Sequence, residues 1–242
     1  MGKKRLALIV LLLMVTLMAS ACNARIKGSG DLITETRQIS NFDHITLSGS
    51  GEVIVTQAGS ESLSIETDDN VMEQLKIEVE DGTLKLGFKS GINFITPSRL
   101  IFYVGVDDLN GLTVSGSGDI KSDQLETDRL DVSVSGSGAI QIANLSTSEV
   151  KADISGSGGI DLTGDAAAQD ITMSGAGQYL GGDLCSQSVK VNLSGSGDAK
   201  ICAIDTLDAR TSGSGSVNYY GQPALINSSS SGSGTINNLG EK

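Results

Sequence analysis

Serine and glycine are the residues of this chain whose types and spacing most directly suggest chemistry. The four-residue motif SGSG, written once as SGAG, is a glycine-rich loop of the kind that either holds a ligand or forms a tight turn. Aspartate follows two copies, and two cysteines lie among the later ones. The copies begin at Ser48, Ser115, Ser135, Ser155, Ser174, Ser194, Ser212 and Ser231.

Neither phosphate binding nor serine hydrolysis fits this motif. Phosphate-binding loops precede a helix whose N-terminus helps to bind the anion, and no helical pattern follows any copy. A serine nucleophile needs a base, and the only histidine, His44, falls at an outward position of a predicted strand. The motif also lies in a predicted β-corner rather than in the strand-to-helix turn of the hydrolases.

The sequence also offers little support for catalysis by paired carboxylates or for metal binding. A glycan-cleaving site needs two carboxylates about 5–10 Å apart, whereas Asp119 and Asp198 belong to coils that we expect to lie about 19 Å apart. Calcium-binding GGxGxD repeats have a shorter period and keep the Asp that most copies lack here. Cys185 and Cys202 have no histidine partner for zinc. The sequence therefore predicts no catalytic residue, no metal and no cofactor.

The spacing of the motif predicts a solenoid. From Ser115 onward the copies recur every 18 to 20 residues, and units this short must stack to bury a face. Apolar and polar residues alternate on both sides of each copy, which predicts two strands joined by the motif. A further apolar residue often follows, at Leu125, Leu145, Leu184 and Ile204. The inward positions are Leu112, Val114, Val132, Val134, Ile140, Ile142, Ala152, Ile154, Ile160, Leu162, Ile171, Met173, Val191, Leu193, Ala199 and Ile201.

We therefore predict an all-β fold, a single-stranded parallel β-helix of about 19–20 residues per coil with an N-terminal β-hairpin region. By analogy with other large solenoids it is expected to be right-handed. Glycine permits the tight corner and the close approach of stacked corners. The predicted structural corner residues are Gly116, Gly118, Gly136, Gly138, Gly156, Gly158, Gly175, Gly177, Gly195, Gly197, Gly213 and Gly215.

Two outward columns follow from the stacking. Four residues before each motif the charges alternate in sign, which we expect to favour one register. Two residues before each motif the side chains are polar and could bind a polysaccharide or a protein, or simply face solvent. The first column is Asp131, Lys151, Asp170, Lys190, Asp208 and Asn227; the second is Thr113, Ser133, Asp153, Thr172, Asn192, Arg210 and Ser229.

The domain is predicted to span residues 40–239, with N-terminal strands and a hairpin at 40–110 and the SGSG coils at 111–239. Asp81-Gly82 lies between alternating runs and predicts a hairpin turn. DDNVMEQL at 68–75 is consistent with one helical turn. The final coil is polar, which we expect to keep the open end from pairing with another molecule.

The N-terminus has the three parts of an export signal over residues 1–21: Lys and Arg, an apolar run, and small residues. The run ends ASAC, which resembles the bacterial lipoprotein box, although Ala19 stands where Leu is usual. The resemblance implies lipidation of Cys22, with 22–39 as anchor and linker. The expected product is exported and attached to a membrane of the cell envelope by its lipid.

The composition of the chain argues against one class of partner, and its predicted export bears on the redox state of its cysteines. The formal net charge is -12 and no basic patch is present, which argues against binding to nucleic acid. Export would place Cys185 and Cys202 in an environment that permits disulfides. They lie at different phases of the repeat, so a disulfide between them is left open.

Together these segments resemble the family of bacterial exported proteins called putative auto-transporter adhesin, head GIN domain. The residues that carry the resemblance are DHITLSGSGEVIVTQ, LKIEVEDGTLKL and the tandem VSGSGDI, VSGSGAI and ISGSGGI, and it covers roughly residues 40–235. It implies a pectin-lyase-like β-helix, a surface or periplasmic location, and adhesion without catalytic residues. We predict a non-catalytic envelope lipoprotein that contacts a glycan or a surface protein. The alternatives are a polysaccharide-binding or polysaccharide-degrading protein and a structural envelope protein.

Overall fold

The computed structural model describes residues 25–92 and 94–242. The predicted export signal and Cys22 lie outside these residues. Most of the described chain is β-strand, because alternating apolar and polar residues place one face of each strand in a shared interior. No helix of the described part is both long enough and apolar enough to cross a membrane.

The C-terminal part is a parallel β-solenoid, which confirms the predicted fold class. Each SGSG corner joins two strands, and each strand pairs in parallel with its equivalent one coil later. In the middle coils the strands also continue through the segment that the sequence indicated as a loop, so that four successive long strands pair along most of their length. The strands are β10 (Gly111–Gly116), β11 (Asp119–Ser122), β12 (Leu125–Glu126), β13 (Arg129–Gly136), β14 (Ala139–Gly156), β15 (Gly159–Gly175), β16 (Gln178–Gly195), β17 (Asp198–Gly213), β18 (Ser216–Tyr220), β19 (Leu225–Gly232) and β20 (Thr235–Asn238).

The motif at Ser48 belongs to the first coil of the same solenoid. Ser48 pairs with Ser115, and Gly49 pairs with Gly116, across adjacent parallel strands. Residues 58–110 are therefore an insertion between the first coil and the second. The spacing of the later copies could not show this, because the insertion hides the first interval.

The inserted strands, together with one strand that precedes the first coil, close the N-terminal end of the solenoid. β7 (Thr83–Phe88) and β9 (Leu100–Val106) continue the two sheets in parallel. Outside them, β5 (Ser62–Asp68), β2 (Leu32–Arg37) and β6 (Leu75–Glu80) add antiparallel strands. The predicted hairpin at Asp81-Gly82 is present, with φ of 50° and 75° as a tight hairpin turn requires. The elements are β1 (Arg25–Lys27), β2 (Leu32–Arg37), β3 (His44–Gly49), β4 (Glu52–Gln57), β5 (Ser62–Asp68), α1 (Asp69–Met72), β6 (Leu75–Glu80), β7 (Thr83–Phe88), β8 (Phe94–Thr96) and β9 (Leu100–Val106).

One apolar core runs through both parts. All of the predicted inward positions are buried, and the core continues into the N-terminal strands through residues such as Leu47 and Phe102. Leu125, Leu145 and Leu184 are also buried, but Ile204 is 51% exposed. The alternation fails at Ile204 because the pairing of β16 with β17 shifts register on both sides of Ser186. Ala203, which is fully buried, takes the inward position instead.

The interior also contains one polar network. The hydroxyl of Tyr179 donates to Oε1 of Gln169 at 2.7 Å, and Nε2 of Gln169 donates to Ser186 Oγ and to the carbonyl of Leu184. Each of these side chains is buried, and burial raises the pKa of the Tyr179 hydroxyl. Because every polar atom has a partner, the network fixes how β15 and β16 stack without leaving an unsatisfied group.

Candidate interaction surface

The SGSG corners use their own backbone groups for stacking. The N–H groups of Ser137 and Gly138 both donate to the carbonyl of Gly116, at 2.8 and 3.1 Å, and this pattern repeats from corner to corner. The N–H groups that could have held an anion are therefore occupied by the preceding coil. These bonds are made by the backbone, so the serine side chains are not required for them.

The two glycines of each motif meet different steric requirements. The second residue has a positive φ, 130° in Gly136, which residues other than glycine rarely adopt. The fourth residue has no such φ, but a Cβ at Gly138 would overlap the carbonyl oxygen of Gly118. The first group comprises Gly116, Gly136, Gly156, Gly175, Gly195 and Gly213; the second comprises Gly118, Gly138, Gly158, Gly177, Gly197 and Gly215.

The aspartates that follow two of the motifs support stacking as well. Asp119 and Asp198 occupy one column and are separated by Ala139, Gly159 and Gln178 on the intervening coils. Each accepts a hydrogen bond from a backbone N–H of the next coil, Asp119 from Ala139 at 2.9 Å and Asp198 from Ser216 at 3.1 Å. This separation is too great for the paired carboxylates of a glycosidase.

An acidic cleft of about 490 Å³ lies beside the first coil, lined by residues that include Asp43, Glu61 and Asp107. Two of these carboxylates, those of Glu61 and Asp43, bind neighbouring groups of the same region. Glu61 accepts the backbone N–H groups of Asn41 and Phe42, each at 2.9 Å. Asp43 binds the imidazole of His44 at 2.7 Å, and hydrogen bonds from His44 and then Asn110 lower the pKa of Asp43. Within residues 25–92 and 94–242, no three His, Cys, Asp or Glu side chains are grouped as metal ligands.

A disulfide joins Cys185 of β16 to Cys202 of β17. The sequence places these residues at different phases of the repeat. The structure pairs them directly because the register shifts between Gly181 and Cys185, so that β16 has additional residues before the bridge. The disulfide therefore connects adjacent coils at the place where their regular pairing is interrupted.

The side of the solenoid presents the two outward columns in the predicted register. Asp131, Lys151, Asp170, Lys190, Asp208 and Asn227 pair in sequence across successive strands. Direct ion pairing within this column occurs between Asp170 and Lys190 at 2.8 Å, whereas Lys151 approaches Asp153 of its own strand at 3.8 Å. The neighbouring polar column is equally continuous and consists of Thr113, Ser133, Asp153, Thr172, Asn192, Arg210 and Ser229.

Aromatic side chains contribute little to this surface. Tyr179 and Tyr219 are buried, as their inward phase predicts. Tyr220 is partly exposed, but its ring lies 5.1 Å from the ammonium group of Lys200 and 5.5 Å from that of Lys242. Two cations therefore already occupy the ring that a sugar could have stacked on.

Sequence reasoning missed one buried carboxylate. Asp68 is fully buried at the end of β5 and accepts the backbone N–H groups of Gly30 and Ser98, each at 2.7 Å. Burial raises the pKa of the Asp68 carboxyl, but these two hydrogen bonds outweigh burial and hold the pKa below its usual value. The bonds connect β5 to two loops that are distant in sequence, so no local pattern could have indicated them.

Comparison with known proteins finds one matching family and several solved structures that are similar to this chain. A family model described as "Putative auto-transporter adhesin, head GIN domain" matches residues 41–223. No curated protein matches the chain in sequence.

The solved structures share both fold and sequence with this chain. A putative adhesin from Bacteroides fragilis NCTC 9343 is 29% identical with a TM-score of 0.85, and the match covers 88% of this chain and 100% of that one. A protein from Parabacteroides distasonis ATCC 8503, described as a putative lipid binding protein, is 27% identical with a TM-score of 0.77, over 89% and 100% of the two chains. A putative adhesin from Parabacteroides merdae ATCC 43184 is 25% identical with a TM-score of 0.72, over 89% and 99%.

Proposed function

Because the chain belongs to the putative auto-transporter adhesin, head GIN domain family, we propose that it is a non-catalytic adhesion module of the cell envelope. It contacts a glycan or a protein on another surface through the side of its solenoid. The observation that supports this proposal most directly is the unbroken register of the polar outward column from Thr113 to Ser229. Such a column presents a repeated array on a rigid support, which favours recognition of an extended partner.

The organisation of the acidic residues supports a role without catalysis. Asp119 and Asp198 are four coils apart, and each accepts a hydrogen bond from the backbone of the next coil. Glu61 and Asp43 hold the loops of the acidic cleft in place. A polysaccharide-degrading enzyme would need a pair of free carboxylates about 5–10 Å apart, so product release is the outcome that would favour this alternative.

Binding can be tested with the chain from residue 23, which contains every described strand, on glycan arrays and in pull-down experiments with surface proteins. The face variant Thr113→Glu/Ser133→Glu/Thr172→Glu adds three charges to the polar column. The matched control Gln141→Glu/Gln178→Glu/Asn218→Glu adds three charges to outward positions of the adjoining sheet. We expect the face variant to weaken binding at least about tenfold, since buried polar contacts would meet unpaired charge, and the control to retain it. Equal effects of both variants, or release of a glycan product, would contradict the proposal.

We further propose that the chain is exported and anchored through a lipid on Cys22. The support is the apolar N-terminal segment, the ASAC sequence and the adhesin family. More than one acyl chain gives the stable attachment that a single chain does not. Radiolabelled palmitate should label the full-length protein in its bacterial host and not Cys22→Ala. Equal labelling of both would refute the anchor while leaving the adhesive role open to the binding experiment.

A further inference from the structure

The two ends of the solenoid differ in how their edge strands are protected. At the N-terminal end the outermost strands carry charged residues, Lys76, Glu78 and Glu80 on β6 and Glu35 and Arg37 on β2. Charged side chains on an edge strand discourage pairing with another chain. At the C-terminal end the outermost strands are β19 and β20, and within the described residues no strand covers them.

The C-terminal edge has none of this protection. Residues 211–240 contain no Asp, Glu, Lys, Arg or His, and no other uncharged stretch of the chain is as long. β19 and β20 contain no proline, and their pairing with the preceding coil shows no bulge. Their polar side chains are Ser, Thr and Asn, which do not repel a second strand as charges do. The polarity of this coil is therefore weaker protection than the sequence suggested.

Apolar surface is exposed at this edge, as it is at Leu32 and Ile33 of β2, but here no charged residue of the same strand accompanies it. Leu225 is 65% exposed and Ile226 is 45% exposed, whereas Leu207, the inward residue on which Ile226 stacks, is buried. Ile236 likewise stacks on the buried Val217 and is only partly covered. The inward columns thus continue into a coil that has a neighbour on one side only. A further coil placed on this edge would bury both isoleucines and extend the core.

We propose that the edge formed by β19 and β20 pairs with the same edge of a second copy of this chain, giving a closed two-fold dimer joined through its C-terminal coils. The strands of the two copies meet antiparallel, because a two-fold axis perpendicular to the solenoid reverses their direction. Absence of charge explains the choice of partner: two copies of this acidic chain can bring β19 and β20 together without placing like-charged side chains of these strands against each other. Pairing of this edge with the N-terminal end of another copy is disfavoured by the charges of β6 and β2, so the assembly closes instead of growing into a filament.

The dimer has a geometric consequence, which rests on the proposed membrane anchor. β1 lies at the end of the solenoid opposite β19 and β20, since it pairs with β8 of the insertion. The eight stacked corners have seven spacings between them, so the first and last corners lie about 34 Å apart at 4.8 Å per coil. Pairing through the C-terminal coils therefore directs both N-termini away from the interface. It would join copies that are anchored in facing membranes.

The test measures the mass of the chain from residue 23 in solution by light scattering across a range of concentrations. We expect the mass to rise from that of a monomer to twice that value and not beyond. The edge variant Asn227→Lys/Asn237→Lys should remain monomeric, because it places lysines on both edge strands. Both side chains are exposed, and Lys at 227 would extend the charge column next to Asp208, so the variant should fold normally.

The matched control is Ser133→Lys/Gln141→Lys, which adds the same charge to outward positions in the middle of the solenoid. Ser133 pairs with Asp153, and Gln141 pairs with Asp161, so each of these lysines has an acidic neighbour, as Lys at 227 has in Asp208. This control should dimerise as the unmodified chain does. A monomer at every concentration, growth beyond a dimer, or equal behaviour of the two variants at matched melting temperatures would overturn the proposal.

A second measurement uses orientation. Beads that carry the chain through residue 23 should cluster, and beads that carry it through the exposed position 227 of β19 (Asn227→Cys) should not, because attachment there blocks the C-terminal edge. Clustering in both orientations would contradict pairing through this edge. A dimer in solution together with no binding to glycans or proteins would refute the proposed function of the lateral face while supporting this inference.

Discussion

The described chain has two regions that are stabilised by different kinds of interaction although they share one apolar core. In the coils from residue 111 to 238, one corner is repeated, and each copy donates backbone N–H groups to the carbonyl of the equivalent glycine in the copy before it. In residues 25–110, parallel and antiparallel strands are mixed, and single side chains such as Asp68 and Glu61 hold particular loops. The coils depend on two glycines in each corner, where a Cβ would not fit, whereas the N-terminal region depends on hydrogen bonds from individual side chains.

This difference determines where the molecule should be sensitive to substitution. A corner defect affects the coils on both sides, because each coil contacts only its neighbours. A defect in the N-terminal region affects the segments that the lost side chain connected. Four changes test this distinction, in order of decreasing expected effect.

Gly136→Val should have the largest effect. The φ of 130° is unfavourable for valine, and its Cβ would overlap the carbonyl oxygen of Gly116 in a corner that cannot move independently. We expect a loss of on the order of 4 kcal/mol in the free energy of unfolding, measured by urea denaturation. The control is Gly159→Val, at a column where other coils carry Ala139 and Gln178. Equal destabilisation by the two variants would show that corner geometry is not what makes the motif necessary.

Removal of the disulfide should have the next largest effect. The bridge closes a loop of 17 residues and joins two coils where their register is interrupted. Cys185→Ser/Cys202→Ser should lower the free energy of unfolding by about 3 kcal/mol, because the unfolded chain gains conformational freedom. Chemical reduction should destabilise the unmodified chain by a similar amount and leave the double variant unchanged. If reduction had no effect on the unmodified chain, the bridge would contribute nothing to the stability of this irregular coil.

Asp68→Asn tests the N-terminal region, and its effect on stability should depend on pH. The hydrogen bonds from Gly30 and Ser98 hold the pKa of Asp68 below its usual value. A carboxylate whose pKa is lowered by folding stabilises the protein above the unfolded pKa, near 3.9, and loses this contribution as pH falls through the folded pKa. The variant should therefore melt at a lower temperature than the unmodified chain at pH 7, and the difference should shrink below about pH 4. A difference in melting temperature that stays constant from pH 7 to pH 3 would exclude this role.

The charge column should show the smallest effect. Lys151 lies between Asp131 and Asp170 and approaches Asp153 on its own strand. Lys151→Asp would bring like charges together, whereas Lys151→Ala only removes the attraction. Because these side chains are about half exposed, the two variants should differ by less than about 1 kcal/mol, with the aspartate variant less stable. Identical urea midpoints at low salt would show that alternating charge does not set the register.

The comparison also explains which features could be predicted. The repeat made the coils predictable, because eight copies of one motif give the period, the inward positions and the columns without any long-range information. Asp68 and Glu61 could not be predicted in the same way, since their partners are loops that only the folded chain brings near. Ile204 and the cysteine pair fall between these cases. The repeat indicated their coil, but the local shift in register decided that Ile204 is exposed and that Cys185 meets Cys202.

The sequence by itself determined the solenoid, its corner glycines and its two outward columns, because alternation and period are properties of neighbouring residues that stacking carries unchanged into three dimensions. Only the tertiary structure decided that the copy at Ser48 stacks directly on the copy at Ser115 across a long insertion. It also decided that β6 and β2 place charged edges at one end of the molecule, while the uncharged β19 and β20 form the other. The physical reason is that a strand lies at an edge when no other strand pairs with one of its sides. Whether another strand pairs there depends on segments that are distant in sequence, so no single segment shows it.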